Sequence, residues 1–272
     1  MRQAVLPGLL LVLASYSACR EVRLSEAEAI ARQGTLERHS WRMGGLPVLG
    51  FERSGPQGQV LVVYIEGDGR AWVNPWQPSS DPTPADPIAL RLAAIDPSRP
   101  LLYLARPCQY VFVPSCDSRF WTSERLSPAV VQGFQQVIDD ARRGAKSDRI
   151  ALVGYSGGGA LATLIAEQRH DVAWLITVAA NLDLAAWVRS IKIEAMSGSL
   201  DPAMGAEKVR RLPQVHFAGA NDLVVPPIVL YNFFAQLSPA PAARIIVLPG
   251  FDHECCWAAA WPRLLELSGM RP

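Results

Sequence analysis

Six short apolar runs recur along this chain, separated by stretches with the apolar spacing of helices. The runs occupy residues 59–65, 100–105, 149–154, 173–179, 214–219 and 243–248. The first, Gln-Val-Leu-Val-Val-Tyr-Ile, is typical. A strand wetted on one face alternates apolar and polar residues, whereas a continuous run suits a strand covered on both faces, as in parallel sheets. Helical patterns fall near 86–94, 127–143, 157–169, 204–211, 226–237 and 256–268. The clearest is 127–143, with Ser127 as N-cap and Pro128 in the first turn, where a missing N–H costs nothing. Strand alternating with helix predicts an α/β chain: a mostly parallel sheet with helices on both faces.

The remaining segments are less regular. Residues 25–33 read as a short helix, with Ser25 and Glu28 as a capping box and Gly34 as its stop. Residues 37–53, with glycines at 44 and 45, predict one or two edge strands, and 54–58 a turn. Residues 69–86 and 106–126 fit neither pattern. Both follow strands, at the edge where such sheets place ligands. The connection at 180–213 is expected to be partly helical, a small cap rather than a separate lid domain.

The 272 residues leave room for one substantial core, and a net charge of +1 provides no global field for nucleic acid. The first residues read differently from the rest. Met1-Arg2 supplies a positive start, residues 4–14 are nearly all apolar, and Ser15-Tyr16-Ser17-Ala18 precedes Cys19. That describes an export signal over 1–18, too short to span a bilayer comfortably. Residues 19–36 then form a linker with a short helix, and 37–272 one domain. The Ala18-Cys19 junction resembles the lipobox of bacterial lipoproteins, although Tyr16 stands where an aliphatic residue is usual. The resemblance implies a lipid on Cys19 and a membrane as partner; a simple cleaved signal is the alternative. Four further cysteines lie at 108, 116, 255 and 256. Export permits disulfides. Cys108 with Cys116 is the preferred pair, and Cys255 with Cys256 either a vicinal bridge or two thiols. The spacing does not suit a metal, and no cofactor is expected.

Gly154-Tyr155-Ser156-Gly157-Gly158 matches Gly-x-Ser-x-Gly. At ~7% each of Gly and Ser, chance produces the pattern in about one chain in ten of this length. Its setting is more specific: it closes the run 149–154 and opens the helical pattern 157–169, the strand–turn–helix context of a nucleophile elbow. A glycine-rich turn without chemistry is the plain alternative. A phosphate loop would need the lysine that is absent here.

A serine hydroxyl needs a base. Of four histidines, His39 falls in the edge region, His170 at the end of a helix as a C-terminal cap, and His216 in mid-strand. His253, just past the last predicted strand, remains. The base needs a carboxylate to fix its tautomer. Asp222, beyond the strand 214–219, is preferred; Asp252, Asp183 and Asp201 are weaker placed. The order Ser156, Asp222, His253 resembles the α/β-hydrolase superfamily over roughly residues 37–268. The resemblance implies a three-layer fold with a mostly parallel sheet of about eight strands. It also implies an oxyanion hole from the amide of Gly157 and one from the loop after residue 65. There Glu66-Gly67-Asp68-Gly69 departs from the His-Gly-Gly-Gly form; Asp68 is the favoured donor and Gly67 the second.

These features predict hydrolysis of a carboxylic ester or related acyl bond in a small-molecule substrate. A peptidase or amidase of the same fold is the alternative, followed by an exported lipoprotein that binds without catalysis. Trp72, Trp76, Tyr110, Phe120, Trp121 and Trp257 either line an acyl pocket or anchor long loops. Arg70 and Arg106 are candidates for binding a carboxylate or phosphate.

Overall fold

A computed structural model describes residues 7–271 except 75, 193–195, 238, 240 and 241, with side chains described from residue 20 onward. The strands are β1 (Glu37–Met43), β2 (Leu46–Arg53), β3 (Leu61–Ile65), β4 (Trp72–Asn74), β5 (Gln77–Pro78), β6 (Leu101–Leu104), β7 (Ile150–Tyr155), β8 (Val172–Val178), β9 (Gln214–Gly219) and β10 (Ala243–Leu248). The helices are α1 (Pro7–Gln33), α2 (Ile88–Ile95), α3 (Pro128–Ala145), α4 (Gly157–Ala166), α5 (Leu184–Ile191), α6 (Pro227–Leu237) and α7 (Trp257–Ser268).

Eight strands form one sheet in the order β1-β2-β6-β3-β7-β8-β9-β10. Strand β2 pairs antiparallel with both its neighbours, and the remaining pairings are parallel. Each of the six predicted runs is a strand of this sheet. The reason is visible in β3, whose five residues are all buried. Leu61, Val63 and Ile65 join the core under α3 and α4, whereas Val62 and Tyr64 join the core under α2 and α7. Period-two alternation therefore persists, with both faces dry. Strands β4 and β5 make a small separate hairpin.

Helix α3 starts as the sequence predicts, Ser127 accepting from the Val130 amide with Pro128 in the first turn. Two expectations are corrected. The short helix at 25–33 is the second half of α1, so Ser25 is interior rather than a cap. No Gly or Pro lies between Gly8 and Gly34, and nothing in this stretch of Leu, Ala, Arg and Glu breaks the helix. Nor is 19–36 a free linker: Ala27, Ile30, Ala31 and Leu36 are buried in the core beside α2. The signal expected over 1–18 and the modification expected at Cys19 fall on residues outside the described side chains. No helix among the described residues is long and apolar enough to cross a membrane. His170 is exposed beyond the α4 cap at Glu167, rather than capping the helix itself.

The 180–213 connection holds α5 and a 3-10 stretch, Pro202–Val209. The 3-10 stretch packs beside α4 and α6 in the helical layer. The first part of the connection, with Asn181 and α5, lies at the carboxyl edge of the sheet.

Candidate active site

Strand β7 ends at Tyr155, and α4 begins at Gly157. Ser156 between them has φ 50° and ψ −124°, a sparsely populated backbone region for a residue with a side chain. The turn is tight enough to require glycines on either side. A Cβ at Gly154 would collide with Gly158 and Gly159, and one at Gly158 with the carbonyls of Ile65 and Glu66.

The structure brings Ser156, His253 and Asp222 into one row, although they lie on three separate strand ends. His253 Nε2 is 3.1 Å from Ser156 Oγ, and His253 Nδ1 is 2.8 Å from Asp222 Oδ2. The Asp222 side chain is fully buried. Its other oxygen, Oδ1, accepts from the amides of Val224 and Val225 at 2.8 and 2.7 Å. One carboxylate thus closes a turn and meets the histidine. The carbonyl of His253 accepts from the Tyr155 hydroxyl and from Trp257 Nε1, both at 2.9 Å.

The other acidic candidates are occupied elsewhere. Asp252 is exposed and accepts from the amides of Glu254 and Cys255, which hold its carboxyl below the usual range. Asp183 caps α5, and Asp201 accepts from the amides of Leu184, Ala185 and Ala203. His216 is fully buried between Thr177 Oγ1 and Gln214 Oε1, at 2.8 and 2.9 Å. Burial pulls its pKa down to about 3. It is a satisfied core histidine.

The loop after β3 faces the elbow. Gly67, the second donor candidate, is corrected: its amide donates to Glu66 Oε1 at 2.9 Å. The amide of Asp68 has no acceptor among the described residues, and neither does that of Gly157. Glu66, at the position of the usual histidine, is buried. Its carboxylate accepts from Ala89 and Leu90 at the start of α2, both at 3.3 Å, and from the Tyr103 hydroxyl at 3.1 Å. Burial nonetheless pushes its pKa up to about 7. The Asp68 carboxylate packs against Gly157, where a Cβ would collide with it. It pairs with Arg125 and Arg106, at 2.9 and 3.4 Å. Burial lowers the Arg106 guanidinium to about 10.

A cavity of about 370 Å3 opens over Ser156 and His253. Its apolar lining includes Trp72, Tyr155, Trp187, Ile88 and Val224. Of the six aromatic residues singled out in the sequence, only Trp72 lines this cavity. Tyr110, Trp121 and Trp257 are buried packing residues, Phe120 packs against the core, and Trp76 is 87% exposed. Arg70 is at the cavity. Arg106 is buried in the ion cluster behind it. A larger groove of about 440 Å3 lies at the opposite end of the sheet, lined by His39, Trp41 and Lys146. Its histidine, His39, pairs with Glu52 at 3.3 Å.

Cys108 and Cys116 are joined in a disulfide, and Cys255 and Cys256 form the vicinal bridge. Arg125, Asn181 and Trp187 escaped the sequence reading. Asn181 could have been found by position, since it lies three residues beyond β8 at the same sheet edge as the other groups. Arg125 comes from an irregular connection and carries no local signal, whereas Trp187 lies on α5, whose cap at Asp183 could have marked it.

This arrangement is the α/β-hydrolase fold, with its one antiparallel strand beside a parallel run and its serine turn after a central strand. No protein-family model matches the sequence, and no curated protein does. Solved structures match at the level of fold. A putative lipase from Acinetobacter baumannii AYE is 13% identical with a TM-score of 0.62, over 91% of this chain and 96% of that one. Est1E from Butyrivibrio proteoclasticus is 14% identical with a TM-score of 0.58, over 86% and 100%. The acylaminoacyl peptidase of Pyrococcus horikoshii is 13% identical with a TM-score of 0.63, over 84% of this chain, which spans only 39% of that protein. Such distant likeness establishes the fold; function is a matter of the site.

Proposed function

We propose that this chain is a serine hydrolase that cleaves a carboxylic ester or related acyl bond through an acyl-enzyme. The observation that carries the reading is the row Ser156–His253–Asp222, at 3.1 and 2.8 Å. Ser156 Oγ attacks the acyl carbonyl while His253 Nε2 takes its proton. Asp222 holds the Nδ1 proton, fixing the tautomer and stabilising the charged ring. The amides of Gly157 and Asp68 donate to the developing oxyanion, each worth about 3–4 kcal/mol. Collapse passes the proton from His253 to the leaving alkoxide. Water then attacks the acyl-enzyme by the same route, returning the proton to Ser156.

An ester is favoured over a peptide on two grounds. Among the described residues no separate lid domain covers the cavity. Est1E and the putative lipase match this chain along nearly their whole lengths, whereas the acylaminoacyl peptidase extends far beyond it. The exported-lipoprotein reading also stands as a proposal, supported by the Cys108–Cys116 disulfide, since such bonds persist in oxidising compartments. Mass spectrometry of the mature N-terminus tests it; an unmodified Cys19 rejects lipidation.

A fluorophosphonate probe tests the catalytic reading. Wild type should label, and Ser156→Ala should not. A folded wild type that stays unlabelled overturns the proposal. Chain-length profiling with p-nitrophenyl esters then defines the acyl pocket. Turnover of peptide amides with none of any ester would reverse the preference.

A further inference from the structure

The oxyanion loop carries a chemical contradiction. Asp68 borders the cavity with an amide that has no acceptor among the described residues, yet its carboxylate packs against Gly157, the other donor. A bare carboxylate there would repel the oxyanion that the two amides are meant to stabilise. The surrounding cations answer this. Arg125 Nη1 meets Asp68 Oδ2 at 2.9 Å, and Arg106 Nη1 lies 3.4 Å from Oδ1. Both arginine side chains are at most 3% exposed. Two cations thus face one anion in a dry setting.

The cluster is also a tie between segments. With the Asn181 amide oriented to satisfy its neighbours, its oxygen accepts from Arg125 Nη2 at 2.7 Å and its nitrogen donates to the Ser156 carbonyl at 3.3 Å. The chain Asp68–Arg125–Asn181–Ser156 therefore links the oxyanion loop to the nucleophile elbow. The Arg125 guanidinium rests on the Trp187 ring at 4.6 Å, and its carbonyl accepts from Arg106 Nη2. Arg125 Nε, Arg106 Nε and Nη1, and Asp68 Oδ1 have no hydrogen bond among the described residues. Two guanidinium groups on one carboxylate give the cluster a net positive charge. An anionic intermediate supplies the missing charge, so the cluster interacts better with the transition state than with the ground state.

We propose that Arg125, buttressed by Arg106, is a positioning residue: it neutralises the Asp68 carboxylate and ties the oxyanion loop to the elbow, so that an aspartate can serve as an oxyanion donor. The inference rests on the hydrolase reading above. Arg125 is not placed to hold a substrate anion, because both its terminal nitrogens are engaged and its side chain is 2% exposed.

The test is steady-state kinetics on a neutral p-nitrophenyl ester, with fluorophosphonate labelling rates alongside. Arg125→Gln should lower kcat about a hundredfold, the scale of losing one oxyanion donor, with KM within about threefold of wild type. Adding Asp68→Asn to Arg125→Gln should recover about tenfold, because the unmasked charge is removed. Arg125→Lys, which keeps the charge but cannot reach both partners, should fall between wild type and Arg125→Gln. If Arg125→Gln folds poorly, the double variant and Arg125→Lys still decide. A raised KM at unchanged kcat would make Arg125 a substrate contact and overturn the proposal. No recovery in the double variant would leave only a packing role, and overturns it too. A wild type inert to the probe removes the hydrolase reading itself; a reactive wild type matched by Arg125→Gln removes only this inference.

Discussion

Replacing Glu66 with glutamine should flatten the pH dependence of stability, by an amount the site itself supplies. Glu66 is wholly buried, and burial raises its pKa from 4.5 to about 7 despite four donors on its carboxylate. A raised pKa means that the folded state prefers the neutral acid. The stabilising contribution is therefore complete below pH 4.5 and is lost as pH rises through about 7. At 1.36 kcal/mol per pKa unit, the loss between pH 4.5 and 8.5 is about 3 kcal/mol. Urea unfolding of wild type and Glu66→Gln across that range measures it. The difference is the quantity to follow, because Glu167, raised to about 8 by burial, contributes equally to both curves. The wild type should lose about 3 kcal/mol relative to the variant on going from pH 4.5 to 8.5. Parallel curves would refute the argument. A wild type gaining stability with pH relative to the variant would mean that the four donors outweigh burial.

Three further outcomes follow from the same geometry. Asp222→Asn should leave the fold intact but lower kcat about 10⁴-fold by favouring the wrong histidine tautomer, as steady-state kinetics would show. Removing the Cys108–Cys116 bridge by a double serine substitution opens a loop with a sequence separation of 8. Chain entropy puts the cost at about 2.5 kcal/mol, readable as a lower urea midpoint at unchanged slope. His216, held neutral with a pKa of about 3, should show no imidazole titration by NMR between pH 5 and pH 8.

Much of this architecture was legible because a parallel sheet writes itself into residues as uninterrupted apolar runs. The order of strand and helix, the tight turn at Ser156 and the isolation of His253 past the last strand all follow from local pattern. What escaped depended on rotamers, on ambiguous local signals and on contacts distant in the chain. The extent of α1 was missed because a capping signal at Ser25 reads the same inside a helix as at its start. Gly67 lost its place as a donor to Glu66, a neighbour whose rotamer no pattern encodes. The aromatic residues were divided between packing and cavity by tertiary placement alone: Trp257 is buried beneath the histidine loop, and Trp187 reaches the cavity from α5. Arg125 is readable only beside Asp68, 57 positions earlier.

Tyr155, the variable position of the serine turn, has a mechanical meaning. Its hydroxyl holds the His253 carbonyl across 98 residues of chain. The loop bearing His253 is the part of the row most able to drift, since surface connections move more than the strands they join. A tie from the residue adjoining the nucleophile makes that drift shared: when the loop shifts, the end of β7 shifts with it, and the Ser156–His253 separation varies less than either group's position. Loosening this tie in Tyr155→Phe would broaden the distribution of that separation without displacing its mean. The signature would be an active fraction that falls with temperature well before the fold melts.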